Sequence, residues 1–488
     1  MGAYLKLLRR SWIFVSPFAL VLCLNPLGTS QTQQIYDLVI SNGRVMDPES
    51  GLDAVRHIGI NGRTIQSISE RPLDGRRFID ANGLVVSPGF IDLHWHGRDP
   101  AYYKYEALQG VTAAMELEIG VADVAAWYDA REGRSIIHYG ASAGHAPARM
   151  ALMKDPGDFL PAGAAANRPA TDSEVDKMAW RLEEQLRRGA IAVGFGIAYT
   201  PSASYKEIYE MFRVAARFGA TAHVHMRSGA QLGPEVGLSE VLAAAAATGA
   251  AIHVVHINSS AGSSITHMLQ IIGDAQKRGI DISTEAYPYT AGSTRIESAL
   301  FDNWETRPDS YFQTLQWSAT GERLTRETFA KYRKLGGRVI THSNTEENVL
   351  IAIASPLTMI ASDGSDLIDG AGHPRSSGTY PRVLGRYVRD QRAISLMDAL
   401  RKMTIMPARR LERRVPAMRN KGRIRLGADA DITIFDPARV IDRSTYEKPA
   451  ELPEGVRFVL VNGTPIVSES KLVESVVPGR PLRAPVAP

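Results

Sequence analysis

Apolar and polar positions divide this chain into three regimes. From residue 35 to 83, IYDLVISNGRVMD and HIGINGRTIQSIS alternate apolar with polar side chains, and an Asn-Gly pair breaks each run. Alternation with period two marks half-buried strands, and Asn-Gly between such runs signals a hairpin. The far end repeats the pattern in ADITIFDP and RFVLVNGTPIV, again with Asn-Gly. In between, continuous apolar runs alternate with helical stretches. Leu84, Val85 and Val86 form a run that meets Pro88-Gly89, and a second short run, Phe90–Leu93, leads as one strand into His94 and His96. Seven more are expected at 110–120, 136–142, 189–197, 220–226, 250–257, 281–289 and 356–364. Helices fall between them, for instance Ser173 to Arg188 and Leu238 to Ala247.

Short apolar runs bounded by turn residues are strands buried on both faces, the usual state of a parallel sheet. Eight such strand–helix units predict an α/β fold, a TIM (β/α)8 barrel, whose active site sits at the C-terminal ends of its strands. The expected organisation is therefore a barrel over 88–415 and a small composite β-sandwich. The sandwich takes 35–87 as its first part and 416–475 as its second. One barrel connection, 295–340, is long enough to act as a lid over the mouth and carries a helical run from Arg326 to Leu335.

The chain of 488 residues is 44% hydrophobic and 22% charged, as in ordinary globular proteins. Its formal charge of +4 includes Lys6, Arg9 and Arg10 in a segment without acids; beyond residue 30 the balance is 53 basic to 52 acidic side chains. No basic stripe points to nucleic acid. Residues 1–30 read as a signal peptide, with a basic start, an apolar segment from Trp12 to Leu24, and small residues Gly28 and Ser30 before a cut. An uncleaved anchor is the alternative. The reading predicts an exported, periplasmic or secreted protein with no stable membrane association after cleavage. The single cysteine, Cys23, lies in this segment, so the mature chain has no disulfide and no thiolate ligand.

Candidate chemistry collects at the strand ends. In LVVSPGFIDLHWHGRD, His94 and His96 are two apart on a strand and present two imidazoles to one side, as zinc requires. ATAHVHMR supplies His223 and His225, with Arg227 following. In AIHVVHINSS, His253 and His256 are three apart, so strand parity lets at most one face inward, and His256 is nearer the C-terminal end. Asp363 follows the apolar run of MIASDG, where a carboxylate must bind metal or move protons. In AAMELEIG, Glu116 and Glu118 share a face; Glu118, nearer the mouth, is the expected ligand and Glu116 the alternative.

PGFIDLHWH resembles the first-strand signature of the amidohydrolase superfamily, metal-dependent hydrolases built on a TIM barrel. GAIAVGFGIAYTP, HVHMRS, EAYPYTAGST, MIASDG and HPRSSGTYPRVLGRYVRD are similar to the D-aminoacylase (N-acyl-D-amino-acid deacylase) family. That resemblance implies zinc, as one or two ions, with His94, His96, His225 and His256 among the ligands and Asp363 as the catalytic aspartate. It also implies that Arg227, Tyr287, Ser293 and Arg375 hold the substrate, with Arg227 or Arg375 gripping its carboxylate. The implied activity is cleavage of the amide of an N-acyl-D-amino acid; a cyclic imide or a dipeptide is the alternative substrate. The expected partner is thus a small molecule, and oligomeric state is not legible. The chain departs from the family at Glu118-Ile119-Gly120, where relatives have a cysteine in N-C-G, and glutamate is the harder ligand. The fourth strand ends in Gly194-Phe195-Gly196 without lysine, which disfavours a carbamylated-lysine centre.

Overall fold

The strand that enters the barrel, β1 (Phe90–Asp92), is followed by β2 (Val111–Val121), β3 (His138–Gly144), β4 (Ala192–Gly196), β5 (Thr221–His225), β6 (Ile252–Val254), β7 (Ile282–Ala286) and β8 (Thr358–Ile360). The structure is a computed structural model that describes residues 11–12, 34–227 and 233–486. Apart from Ser11 and Trp12, the expected signal segment lies outside the described residues. The eight strands form one parallel sheet in the order β8-β7-β6-β5-β4-β3-β2-β1. Their side chains are buried almost without exception, and along β2 only Val121 reaches solvent. This is why the strands read as continuous apolar runs.

The Asp92 carboxylate closes the barrel between β1 and β8. One of its oxygens accepts the His94 N–H (2.9 Å) and the Ser362 N–H (3.1 Å). The His96 N–H donates to the Gly364 carbonyl at 2.8 Å, just above that bond. The end of the first strand and the end of the eighth are thereby held together where the candidate residues emerge.

The helices pack outside. Asp172–Arg187 starts where the Thr171 side chain accepts the Glu174 N–H, with Glu174 reaching back to complete a capping box. Its buried Val175, Met178, Leu182 and Leu186 recur at three- and four-residue spacing, so one stripe faces the barrel.

A nine-stranded sheet draws on both ends of the chain. Val85–Pro88 lies at its seam, pairing in parallel with Leu38–Asp47 and antiparallel with Ile432–Phe435. This sheet folds over its own core, which includes Ile40, Ile58, Ile432 and Leu460. Immediately after Pro88 the chain turns at Gly89 into β1, so the seam strand sets where the first barrel strand begins.

The 295–340 connection is a folded unit. Gly292–Arg295, Arg338–Thr341 and Leu315–Trp317 form an antiparallel sheet, with Arg338–Thr341 in the middle. Arg326–Leu335 is a helix, as its pattern predicts, and Trp317 stacks on Tyr332 with ring centroids 4.3 Å apart. Phe301, Phe312, Phe329 and Val339 complete a local core.

Candidate metal centre and substrate cavity

His94 and His96 lie just beyond β1, with their Nε2 atoms 3.0 Å apart. Glu118, near the end of β2, sits among the histidines. Its Oε2 is 3.3 Å from His94 Nε2 and 3.0 Å from His96 Nε2. Its Oε1 is 2.7 Å from His225 Nδ1 and 3.1 Å from His256 Nε2. Asp363 Oδ1 faces His94 and His96 at 3.4 and 3.5 Å. The donor atoms of His94, Glu118 and His256 all lie within 4.8 Å of one another, and so do those of His94, His96 and Asp363. Two overlapping triads of imidazole and carboxylate donors suit zinc and other divalent ions of borderline softness. Buried carboxylates facing one another's partners also require a cation to offset them.

Local electrostatics state the same need. Burial disfavours a charged imidazole at His94, yet Asp363, Glu285 and Glu118 outweigh it and hold that group well above its ordinary value. Burial would raise the Glu118 carboxyl, but His94, His225 and His256 hold it well below the usual range. Asp363 is likewise held low, against burial, by Arg375 and His94.

Three of the four imidazoles are anchored on the side away from the cluster, whereas His225 turns its Nδ1 to Glu118. His94 Nδ1–H donates to Glu285 Oε1 (2.5 Å) and His96 Nδ1–H to Glu116 Oε2 (2.7 Å), while His256 Nδ1 meets Ser260 Oγ at 3.1 Å. A proton fixed on Nδ1 leaves Nε2 free to ligate. Glu116 thus supports His96, and its other oxygen accepts the N–H groups of Ile119 and Gly120.

One expectation, from strand parity, changes, while His256 remains the histidine that joins the cluster. His253 and His256 both lie inside the barrel, because β6 ends at Val254 and His256 adopts a left-handed backbone, φ +33°. His256 reaches the rim. His253 lies below it, its Nε2 2.9 Å from Glu285 and its Nδ1 2.7 Å from Ser283 Oγ. Asp363 is also left-handed, φ +52°, a conformation that costs a non-glycine residue energy and concentrates at functional sites.

A cavity of about 270 Å³ opens beside the cluster. Tyr287, Ser293 and Arg375 line it with His96, Glu118, His225, His256 and Asp363. Arg375 Nη1 lies 2.8 Å from Asp363 Oδ2, and its guanidinium stands 4.8 Å over the Tyr287 ring and donates to the Ser293 carbonyl. Arg227 is not brought there. Its fork closes on Glu240 through two 2.9 Å bonds, with further bonds to the carbonyls of Pro201 and Ala203, so it serves to tie neighbouring segments together. The sequence reading missed Tyr199, Arg295, Arg338 and Glu285. Arg338, which has no ion pair among the described residues, is pushed down to about 10 by burial and by Arg375 and Arg295. Glu285 had a signal: a carboxylate in the middle of the stretch 281–289 expected as a barrel strand, and that strand is buried throughout.

Residues 141–467 match the sequence profile described as "Amidohydrolase family". The chain belongs to the amidohydrolase family. The N-acyl-D-glutamate deacylase of Alcaligenes xylosoxydans xylosoxydans is 31% identical, over 92% of this chain and 97% of that one. A D-aminoacylase of the same organism is 28% identical, over 89% and 95%. The crystal structure of N-acyl-D-glutamate deacylase from Bordetella bronchiseptica, with zinc and a phosphonate mimic of the tetrahedral intermediate, superposes with a TM-score of 0.79. It is 28% identical, over 92% of this chain and all of that one.

Proposed function

We propose that this amidohydrolase cleaves the amide of N-acyl-D-amino acids, using one or two zinc ions held by His94, His96, Glu118, His225 and His256. The observation that carries the reading is Asp363, which has one oxygen on the histidine cluster and the other on an arginine that lines the cavity. Zinc at these ligands would supply Lewis-acid polarisation and acidify water. Asp363 accepts the proton of the attacking water at Oδ1, the oxygen facing His94 and His96. It then delivers that proton to the amine nitrogen as the C–N bond breaks.

Arg375 binds the substrate carboxylate with Tyr287 beneath its plane. Before substrate arrives, this guanidinium holds Asp363 low. A substrate carboxylate that draws Nη1 away raises the basicity of Asp363, so the base strengthens when its substrate is in place. Arg338 adds a second cation within reach of the same cavity, suited to a side chain with its own carboxylate. The relatives named for N-acyl-D-glutamate support this preference.

The test is metal analysis of purified protein, followed by chelation, zinc restoration and a screen of N-acetyl-D- and N-acetyl-L-amino acids. Zinc-dependent release of D-amino acids is expected. Zinc-loaded protein that hydrolyses neither enantiomer refutes the reading.

A further inference from the structure

A second cavity, of about 430 Å³, adjoins the centre from the opposite side of His96. Its walls are Val121, Trp127, Pro147 and Met150, with Glu116 at its polar end. His96 and Phe159 line both cavities, and their rings meet edge-on with centroids 5.4 Å apart. One pair of side chains therefore separates them. The two spaces differ in chemistry: the first carries Arg295, Arg338 and Arg375, whereas the second is mostly apolar.

An N-acyl amino acid has the same asymmetry across its scissile bond. Its amine half is anionic and its acyl half can be a hydrocarbon. Resting on the deacylase reading above, we propose that the second cavity receives the acyl group, and that the enzyme is built for N-acyl-D-amino acids with a medium-length apolar acyl chain. At about 30 Å³ for a group the size of a water, the cavity has room for about fourteen such groups, enough to take a chain of eight carbons.

The walls are preformed. The Arg131 guanidinium lies 3.7 Å over the Trp127 ring, and Tyr128 packs edge-on against it. The Phe159 loop is pinned from within, because Asp155 accepts the N–H groups of Gly157, Ala162, Gly163 and Ala165 at 2.8–3.0 Å. Asp158 is paired with Arg98 on the rim. With the backbone held on both sides of Phe159, rotation of that half-buried ring is the movement that joins the cavities.

The experiment uses zinc-loaded full-length protein and two readouts. Calorimetry compares butyrate with octanoate as acyl-product probes, and kcat/KM is measured for N-acetyl-, N-hexanoyl- and N-octanoyl-D-glutamate. Ala122→Phe fills the rim of the second cavity without touching the centre. In the unaltered enzyme octanoate should bind more than about tenfold tighter than butyrate, and kcat/KM should rise by up to about fourfold per added methylene. Ala122→Phe should abolish both gains and leave N-acetyl turnover within about twofold. Equal binding of the two carboxylates, or equal loss on acetyl and octanoyl substrates in Ala122→Phe, overturns the proposal. Octanoate binding that Ala122→Phe abolishes, in a protein that hydrolyses no N-acyl-D-amino acid, supports the chamber and sinks the deacylase reading instead.

Discussion

Replacing Glu285 by glutamine tests whether the centre depends on a residue that touches no substrate. Glu285 is fully buried beneath the cluster and accepts hydrogen bonds from two imidazoles, His94 at 2.5 Å and His253 at 2.9 Å. A carboxylate satisfies both at once. A glutamine has one accepting oxygen and one donating NH2, so one imidazole must meet a donor. If the NH2 faces His94, that ring must move its proton to Nε2, the atom that faces the centre, and ligation is blocked until the tautomer reverts. Removing such a supporting partner costs about 10–100-fold in metal affinity, or about 1.4–2.7 kcal/mol. Chelator competition with zinc-loaded protein measures this directly. Loss of affinity should be accompanied by near-normal turnover at saturating zinc, because the reacting groups are unchanged. An affinity within a factor of about two of the unaltered protein would refute the argument that Glu285 fixes His94.

Asp363→Asn should lower kcat by about 10²–10⁴-fold while zinc content stays near that of the unaltered protein; a loss under about tenfold removes Asp363 from the proton-transfer role. Glu118→Gln should weaken zinc binding more than Glu116→Gln, since Glu118 contacts four imidazoles and Glu116 acts through His96 alone; zinc titration of both variants decides it, and the reverse order overturns the ligand assignment. Arg338→Met should cost N-acyl-D-glutamate about 10–100-fold in kcat/KM, the worth of a hydrogen bond to a charged group, and leave N-acyl-D-leucine nearly unaffected; equal losses on both would place Arg338 outside side-chain recognition. Burial lowers the Lys402 ammonium to about 7, so the unfolded chain binds the extra proton above that pH and stability should rise from pH 7 toward 10. Melting temperatures should show that slope in the unaltered protein and a flatter one in Lys402→Met.

Strand ends were legible in the sequence because strands buried on both faces are mainly apolar, so side chains that ligate or titrate stand out where such a run reaches the mouth. His94, His96, Glu118, His225 and Asp363 each follow or close an apolar run, and the barrel brings them together. Parity arguments hold only while the strand lasts. At His94 and His96 the backbone stays extended enough past Asp92 for the two rings to converge. Between His253 and His256 the strand has already ended, and a left-handed residue turns the second ring to the rim while the first stays in the interior. No pattern of alternation encodes that turn.

Pairing partners were harder still, because they are set by chain segments far apart in sequence. Arg227 follows a ligand histidine, yet Glu240 lies within its reach and takes its fork. Arg338 sits at the edge of a long connection with no motif around it, and becomes a cavity residue only because the connection folds on its own aromatic core. Glu285 shows the same limit from the other side. A lone carboxylate in a buried strand is a signal of function, but which histidine it serves depends on the closure of the barrel, where Asp92 binds the start of β1's outgoing loop to Ser362. The barrel thus determines the site twice: strand ends bring the ligands to one mouth, and the closed interior supplies the partners that orient them.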